Sequence, residues 1–262
     1  MKKPVNLSVV VITLNEEENL PRMLASLPPG VELIVLDSGS TDRSRELCAS
    51  FGARFEVQAF KDFSSQKNKA VSLASKDWVL SLDADEVPSP ELWDEILEIV
   101  SKNDQTSSWR IYRRQFFLGK TLRFGKSCDS PLRLFPRNSG EFQNAVHESF
   151  VQKPGVSIKT CSASLLHFSY KNLTDYFARF NRYTSLVAEE HRRKGHDAPP
   201  RILHVARFFL EFFYRYIIRA GILDGYQGFV YAMFGSVYVF VKYAKLRELA
   251  QGGKSLPFSK SN

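Results

Sequence analysis

Cysteine is scarce. Cys48, Cys128 and Cys161 are odd in number and widely spaced, which argues against a disulfide framework or a zinc site and fits a reducing cytosol. No long apolar run opens the chain: after Lys2 and Lys3 the stretch Val9 to Ile12 soon meets Asn15 and three glutamates, so no signal peptide is expected there. Farther on, Tyr226 to Val241 is uncharged but shorter than the roughly twenty apolar residues a membrane crossing needs. It also holds three tyrosines, Gln227, Gly228, Gly235 and Ser236, and on this count no span is expected. Acidic side chains are outnumbered by basic ones, 28 against 36, and the net charge of +8 favours nucleotide phosphates, nucleic acid or an anionic membrane face. What is present is ordinary for a globular chain: 44% hydrophobic residues among 262 suffice for one large domain, or one domain with an appendage.

The chain is organised around Val79 to Pro88. Val79, Leu80 and Leu82 suit a buried strand that ends in Asp83, Asp85 and Glu86 before Pro88. Strand alternation points Asp83 and Asp85 the same way, so two carboxylates would face one spot and need a cation between them. Hard oxygen ligands favour Mg²⁺ or Mn²⁺, which bind substrate phosphates and so suggest a nucleotide diphosphate. A strand-to-helix turn capped by Ser89 or Asp85 would read the same. Upstream, Leu7 to Leu14 reads as a buried strand, Glu16 to Leu27 as a helix, and Glu32 to Leu36 as a second strand running into Asp37-Ser38-Gly39-Ser40-Thr41-Asp42. Strand, polar turn and helix in this order imply right-handed βαβ units in a parallel sheet, with ligands bound beyond the carboxyl ends where Asn15, Asp37 and Asp83 fall. A helix beginning near Ser64 would bring its amino end and Lys67 to phosphate or ribose, unless Lys67 lies on a solvated face.

Val10-Val11-Ile12-Thr13-Leu14-Asn15-Glu16, Val35 to Asp42, Gln66-Lys67-Asn68 and Asp83-Ala84-Asp85 resemble, in order and spacing, the motifs of family 2 glycosyltransferases with the GT-A fold. The match covers about the first hundred residues. It implies an α/β fold of mostly parallel sheet flanked by helices, and a nucleotide-diphosphate sugar as donor. Thr13, Asn15, Glu16, Asp37, Lys67 and Asp83 become donor-binding residues, and Asp85 a ligand of Mg²⁺ or Mn²⁺. Arg133, in the basic and aromatic strands between Trp109 and Phe150, joins the donor set as a diphosphate contact, with a cross-strand surface arginine as the alternative. Where many family members carry an acidic pair before the acceptor helix, this chain has His147 and Glu148, similar to the subgroup that adds sugars to the lipopolysaccharide core. Inverting transfer needs one base for the acceptor hydroxyl proton, here Glu148, with His147 as its alternative. In GT-A enzymes a late histidine can complete the metal shell, which gives His167 to the metal beside Asp85; a hydrogen-bonded core histidine is the alternative.

The last third turns aromatic after the breaker Gly195 to Pro200. In His204 to Leu223 the charged residues Arg207, Glu211, Arg215 and Arg219 recur every fourth position, leaving a wide apolar face that must be covered. The reading is a glycosyltransferase domain over 1–195, an amphipathic helical segment over 196–250 seated on an anionic membrane surface or forming a homo-oligomer interface, and a frayed tail over 251–262. As a whole the sequence implies a metal-dependent, inverting transfer of a hexose, glucose from a uridine diphosphate donor, to a glycolipid or lipopolysaccharide-core acceptor at the cytoplasmic membrane face, with no nucleic-acid partner. A non-catalytic nucleotide-sugar or glycolipid-binding module on the same fold is the rival.

Overall fold

The computed structural model describes residues 4–144 and 148–251. The β-branched runs become strands that alternate with helices: β1 (Leu7–Thr13), α1 (Leu20–Ala25), β2 (Glu32–Asp37), α2 (Ser44–Ser50), β3 (Arg54–Val57), α3 (Phe63–Ser72), β4 (Trp78–Asp83), β5 (Glu86–Pro88) and α4 (Pro90–Lys102). Mostly strand follows, as β6 (Ser107–Phe117), β7 (Lys120–Thr121), β8 (Cys128–Asp129), β9 (Leu132–Pro136), β10 (Gly140–Gln143), β11 (Ser149–Gln152) and β12 (Ser157–His167). The main path of the large sheet runs β3-β2-β1-β4-β9-β6-β12-β5. Strands β1 to β4 are mutually parallel where they pair, and β9 enters antiparallel between β4 and β6. This is the mostly parallel, helix-flanked sheet of the GT-A type.

Local sequence accounts for the elements. In α4 the Ser89 hydroxyl accepts the Leu92 N–H, Pro90 starts the first turn where its missing N–H costs nothing, and Asn103 in the left-handed region (φ 50°) ends it. The buried residues Leu92, Trp93, Ile96 and Val100 lie on one face at helical spacing. Helix α1 runs from Leu20, preceded by a turn in which the Asn19 and Leu20 N–H groups donate to the Glu16 carbonyl, while Glu16 N–H donates to the Ser44 hydroxyl and Glu17 N–H to the Asp42 carboxylate. Cys48 and Cys161 are buried, and burial with nearby carboxylates pushes both thiols up to about 12, which leaves them protonated and inert.

The described chain divides into two compact units. One comprises residues up to Gln115 with Asp129–Ser169; the other comprises Phe116–Cys128 with the residues from Tyr170 onward. The second unit contains α5 (Leu173–Arg193), α6 (Arg201–Phe213), one π-helical turn (Tyr214–Ile218), one 3₁₀ turn (Gly221–Asp224) and α7 (Gly225–Ala250). Its core joins Phe117 and Leu122 of the excursion 116–128 to Tyr176, Phe180, Tyr231 and Phe234. Buried Asp224 accepts the backbone N–H groups of Arg123 and Phe124, both at 2.9 Å, which ties that excursion to the start of α7. Helix α7 packs against both α5 and α6. A Cβ at Gly228 would collide with the Gly221 carbonyl, so glycine is required where α7 meets the preceding turn.

The expectation drawn from the short uncharged run is corrected here. The basic stretch after Val241 continues the same helix to Ala250, and Gly221–Ala250 is long and apolar enough to cross a membrane by length and composition. Length therefore does not decide against a span.

Candidate active site

Parallel pairing places the carboxyl ends of β1, β2 and β4 along one sheet edge, with Thr13 opposite Asp37 and Ile12 opposite Asp83. Asp37 is 2% exposed and holds the turn that follows it. Its carboxylate accepts the Thr13 hydroxyl at 2.9 Å, the N–H groups of Gly39 and Ser40 at 2.8 and 2.7 Å, and the Ser40 hydroxyl. Asn15 adopts the left-handed conformation (φ 55°), which asparagine tolerates better than most residues. Its N–H donates to the Ser40 hydroxyl and its side-chain oxygen accepts the Thr41 N–H. Thr13, Asn15 and Asp37 thus belong to one hydrogen-bonded corner at the sheet edge, with Glu16 beside it donating its N–H to Ser44.

A second group is assembled from distant parts of the chain. Lys67, on α3, is 1% exposed, and its ammonium lies 2.9 Å from Asp83 and 2.7 Å from Glu148. The solvated-face alternative for Lys67 is thereby excluded. Its neighbours are equally engaged: Gln66 donates to the Ser38 hydroxyl, and Asn68 exchanges two 2.8 Å hydrogen bonds with the Phe142 backbone of β10. The amino end of α3 is capped by the Asp62 carboxylate, which accepts the Ser65 N–H and sets a negative charge there.

Arg133 is 3% exposed and bonds Asp83 at 2.6 Å and Glu86 at 2.5 Å, which excludes the surface-arginine alternative. Sequence reasoning missed Glu86 and Arg113. Glu86 is fully buried, accepts the Asp83 N–H and the Arg113 guanidinium, and sits between the two arginines; Arg113 also grips Asp129 through two bonds. An acid inside a strand pattern, followed by Val87 and Pro88, was the available signal. The cation demanded by the acidic strand end is therefore supplied, at Asp83, by the protein's own Lys67, Arg133 and Arg113. Burial alone would raise the Asp83 carboxyl; the Arg133 and Lys67 charges beside it, with Arg113, outweigh this and hold it well below the usual carboxylate range. Burial likewise opposes the charge on Arg133, and Asp83 and Glu86 overcome it, raising its affinity for the proton.

A depressed carboxyl contributes stability that is complete above its unfolded value, about 3.9, and is lost as pH falls through the folded one. Thermal midpoints measured from pH 8 to pH 3 should show wild type exceeding Asp83→Asn by a constant margin down to about pH 5, with the margin shrinking below about pH 4. A margin that grows on acidification would contradict the network.

Asp85 does not share its surroundings with Asp83. It lies in the turn after β4, and antiparallel pairing of β5 with β12 sets His167 opposite Glu86. His167 Nε2 is 3.3 Å from the Asp85 carboxylate, and the Phe168 N–H donates to the Asp85 carbonyl. Among the described residues no group of three His, Cys, Asp or Glu converges as a metal cluster. One carboxylate and one imidazole this close fit Mn²⁺, which accepts a nitrogen ligand, whereas Mg²⁺ would rely on the Asp85 carboxylate with phosphate oxygens and water.

Beside the Lys67–Asp83–Arg133 group opens a cleft of about 320 Å³, lined by Arg113, Arg133, Glu148, Phe142 and Phe150 among others. Glu148 and Arg133 thus face one space. His147 lies outside the described residues.

The model of the glycosyl transferase family 2 matches residues 8–171. The chain is similar to the lipopolysaccharide core biosynthesis glycosyltransferase LpsC of Rhizobium meliloti (strain 1021), 30% identical over 92% of this chain and 91% of that protein. A glycosyltransferase of Rickettsia bellii (strain RML369-C) is 28% identical over 93% and 87% of the two chains. A crystal structure of glucosyl-3-phosphoglycerate synthase from Mycobacterium tuberculosis with Mn²⁺, uridine diphosphate and glucosyl-3-phosphoglycerate aligns at 25% identity over 44% of this chain and 45% of that one, with a TM-score of 0.34. Matched along most of its length by the family model, and nearly end to end by a relative at 30% identity, this chain belongs to glycosyl transferase family 2.

Proposed function

We propose that the protein is an inverting, metal-dependent glycosyltransferase that moves a hexose, glucose from UDP-glucose, to a glycolipid or lipopolysaccharide-core acceptor at the cytoplasmic face of the membrane. The observation that carries this reading is the Lys67 bridge. One buried ammonium touches Asp83 at the end of β4 and Glu148 eighty-one residues away, joining the donor side to a carboxylate in the adjoining cleft.

In this reading Thr13, Asn15, Glu16 and Asp37 shape the edge that receives base and ribose, and Asp83 accepts ribose hydroxyls while its charge is held by Lys67 and Arg133. Arg133 faces the diphosphate. Asp85 and His167 would hold the divalent ion, which when bound offsets the negative charge that gathers on the departing diphosphate. Glu148 accepts the proton of the acceptor hydroxyl as its oxygen bonds to the anomeric carbon and the nucleotide diphosphate leaves from the opposite face. Lys67 keeps that carboxylate directed into the cleft. Similarity to a lipopolysaccharide-core enzyme along nearly the whole chain supports the acceptor class, and the apolar second unit supports a membrane location.

The test is a donor screen read by thermal stabilisation and donor hydrolysis. UDP-glucose with Mn²⁺, at about a hundred times its dissociation constant, should raise the midpoint by about 5 °C or more, and UDP-glucose without metal by much less. Asp85→Ala should remove the metal-dependent part and lower hydrolysis by about a hundredfold. Metal-dependent turnover retained by Asp85→Ala would refute the metal role.

A further inference from the structure

The second unit contains a cleft of about 730 Å³ between α6 with its π-helical turn and the later part of α7. Lys126, Arg207, Arg215 and Lys242 line it with a single carboxylate, Glu211. That carboxylate is already shared, 3.1 Å from Lys126 and 2.7 Å from Arg215. Arg207 and Lys242 are left with one tyrosine ring between them: the Arg207 guanidinium carbon is 5.1 Å and the Lys242 ammonium 4.9 Å from the centre of Tyr243, whose hydroxyl also accepts from Arg207 at 2.7 Å. Among the described residues no carboxylate pairs with either. Two cations gathered at one aromatic ring are drawn to its electrons but repel each other, and an anion within reach of both relieves the repulsion. Guanidinium and ammonium together suit a phosphate oxygen cluster. The wall carrying these groups includes Tyr214–Ile218, where the helix widens to π geometry, a distortion found frequently at functional sites.

The rest of the lining points to a lipid rather than a free phosphate. Leu210, Phe213 and Ile218 border the cleft and are 65%, 52% and 61% exposed. Ile202 and Phe209 on the same helix, and Leu223 and Tyr226 in the segment that follows, are all more than 60% exposed. So many large apolar side chains uncovered on one segment are unusual for a soluble monomer, and an amphipathic helix that carries cations as well as an apolar face suits the boundary of an anionic bilayer. Helix α7, gripped by α5 and α6, serves as the scaffold of this face.

We propose that this cleft binds the phosphate headgroup of an anionic lipid, with the acyl chains lying along the exposed face of α6. The inference rests on the membrane location in the preceding section and names the element and the headgroup chemistry responsible for it.

The full-length protein is floated with vesicles of phosphatidylcholine alone or with phosphatidylglycerol. The expected result is binding to the anionic vesicles only, weakened about tenfold or more by Arg207→Gln combined with Lys242→Gln. Arg207→Lys should restore most of the loss in the Lys242 wild-type background, and an unchanged thermal midpoint confirms that the variants fold. Binding to anionic vesicles that ignores these substitutions overturns the headgroup site, as does displacement from vesicles by millimolar glycerol phosphate, which would assign the cleft to a soluble phosphate. Failure to bind any vesicle overturns both the site and the membrane location. Stabilisation by UDP-glucose and Mn²⁺, measured on the same samples, reports the donor site separately and should be equal in wild type and variants.

Discussion

Glu148→Gln is expected to lower the rate of sugar transfer about a thousandfold while the affinity for UDP-glucose stays within about twofold. Glutamine has the shape of glutamate, and its carbonyl can still accept the Lys67 ammonium now 2.7 Å from the carboxylate. What it cannot do is take a proton from an attacking hydroxyl. A loss confined to turnover therefore marks a group that acts in the transition state, whereas a rise in KM with unchanged turnover would mark a binding residue. Unchanged transfer by Glu148→Gln would remove Glu148 from the mechanism and pass the role of base to His147.

The second large effect is on stability. Glu86→Ala should destabilise the first unit by about 3–5 kcal/mol, because it deletes the one fully buried carboxylate that both arginines share. Removing it leaves Arg133, itself 3% exposed, with Asp83 as its remaining partner, and a buried guanidinium with too few acceptors is costly. Trp78, Trp93 and Trp109 are the only tryptophans and all lie in the first unit, so urea unfolding followed by their fluorescence reports on that unit alone. A destabilisation below about 1 kcal/mol would show that the cluster is not the stabilising device its geometry implies. Glu86→Gln, which keeps the shape and one acceptor, should fall between the two.

Local patterning made much of the fold legible. Runs rich in valine, isoleucine and leucine, broken by Pro-Pro-Gly or Asp-Ser-Gly, mark β1, β2 and β4, because strand burial requires such residues and turns require the others. Strand β3 went unnoticed: Arg54-Phe55-Glu56-Val57 is a half-exposed edge strand whose charges hide its alternation. Strand β5 was missed for a related reason, since three residues carry no period, and without it Asp85 was assigned the direction of Asp83. In the last third, the spacing of charges every fourth residue put Glu211 and Arg215 on one stripe, where they pair, yet it could not show that the helix widens at Tyr214 and that the excursion 116–128 supplies part of that unit's core.

Asp83 and Asp37 at parallel strand ends, the apolar faces of the helices and the excess of positive charge were written in the chain itself, since each follows from neighbouring residues and the period of their side chains. Only the folded arrangement decided that Lys67 would be buried between Asp83 and Glu148 and that Glu86 would hold Arg113 and Arg133, whereas the meeting of Asp85 with His167 was anticipated through the family resemblance alone. Those contacts depend on which strands become neighbours and in what register. That choice is made by the packing of the whole core, and no short window of sequence contains it.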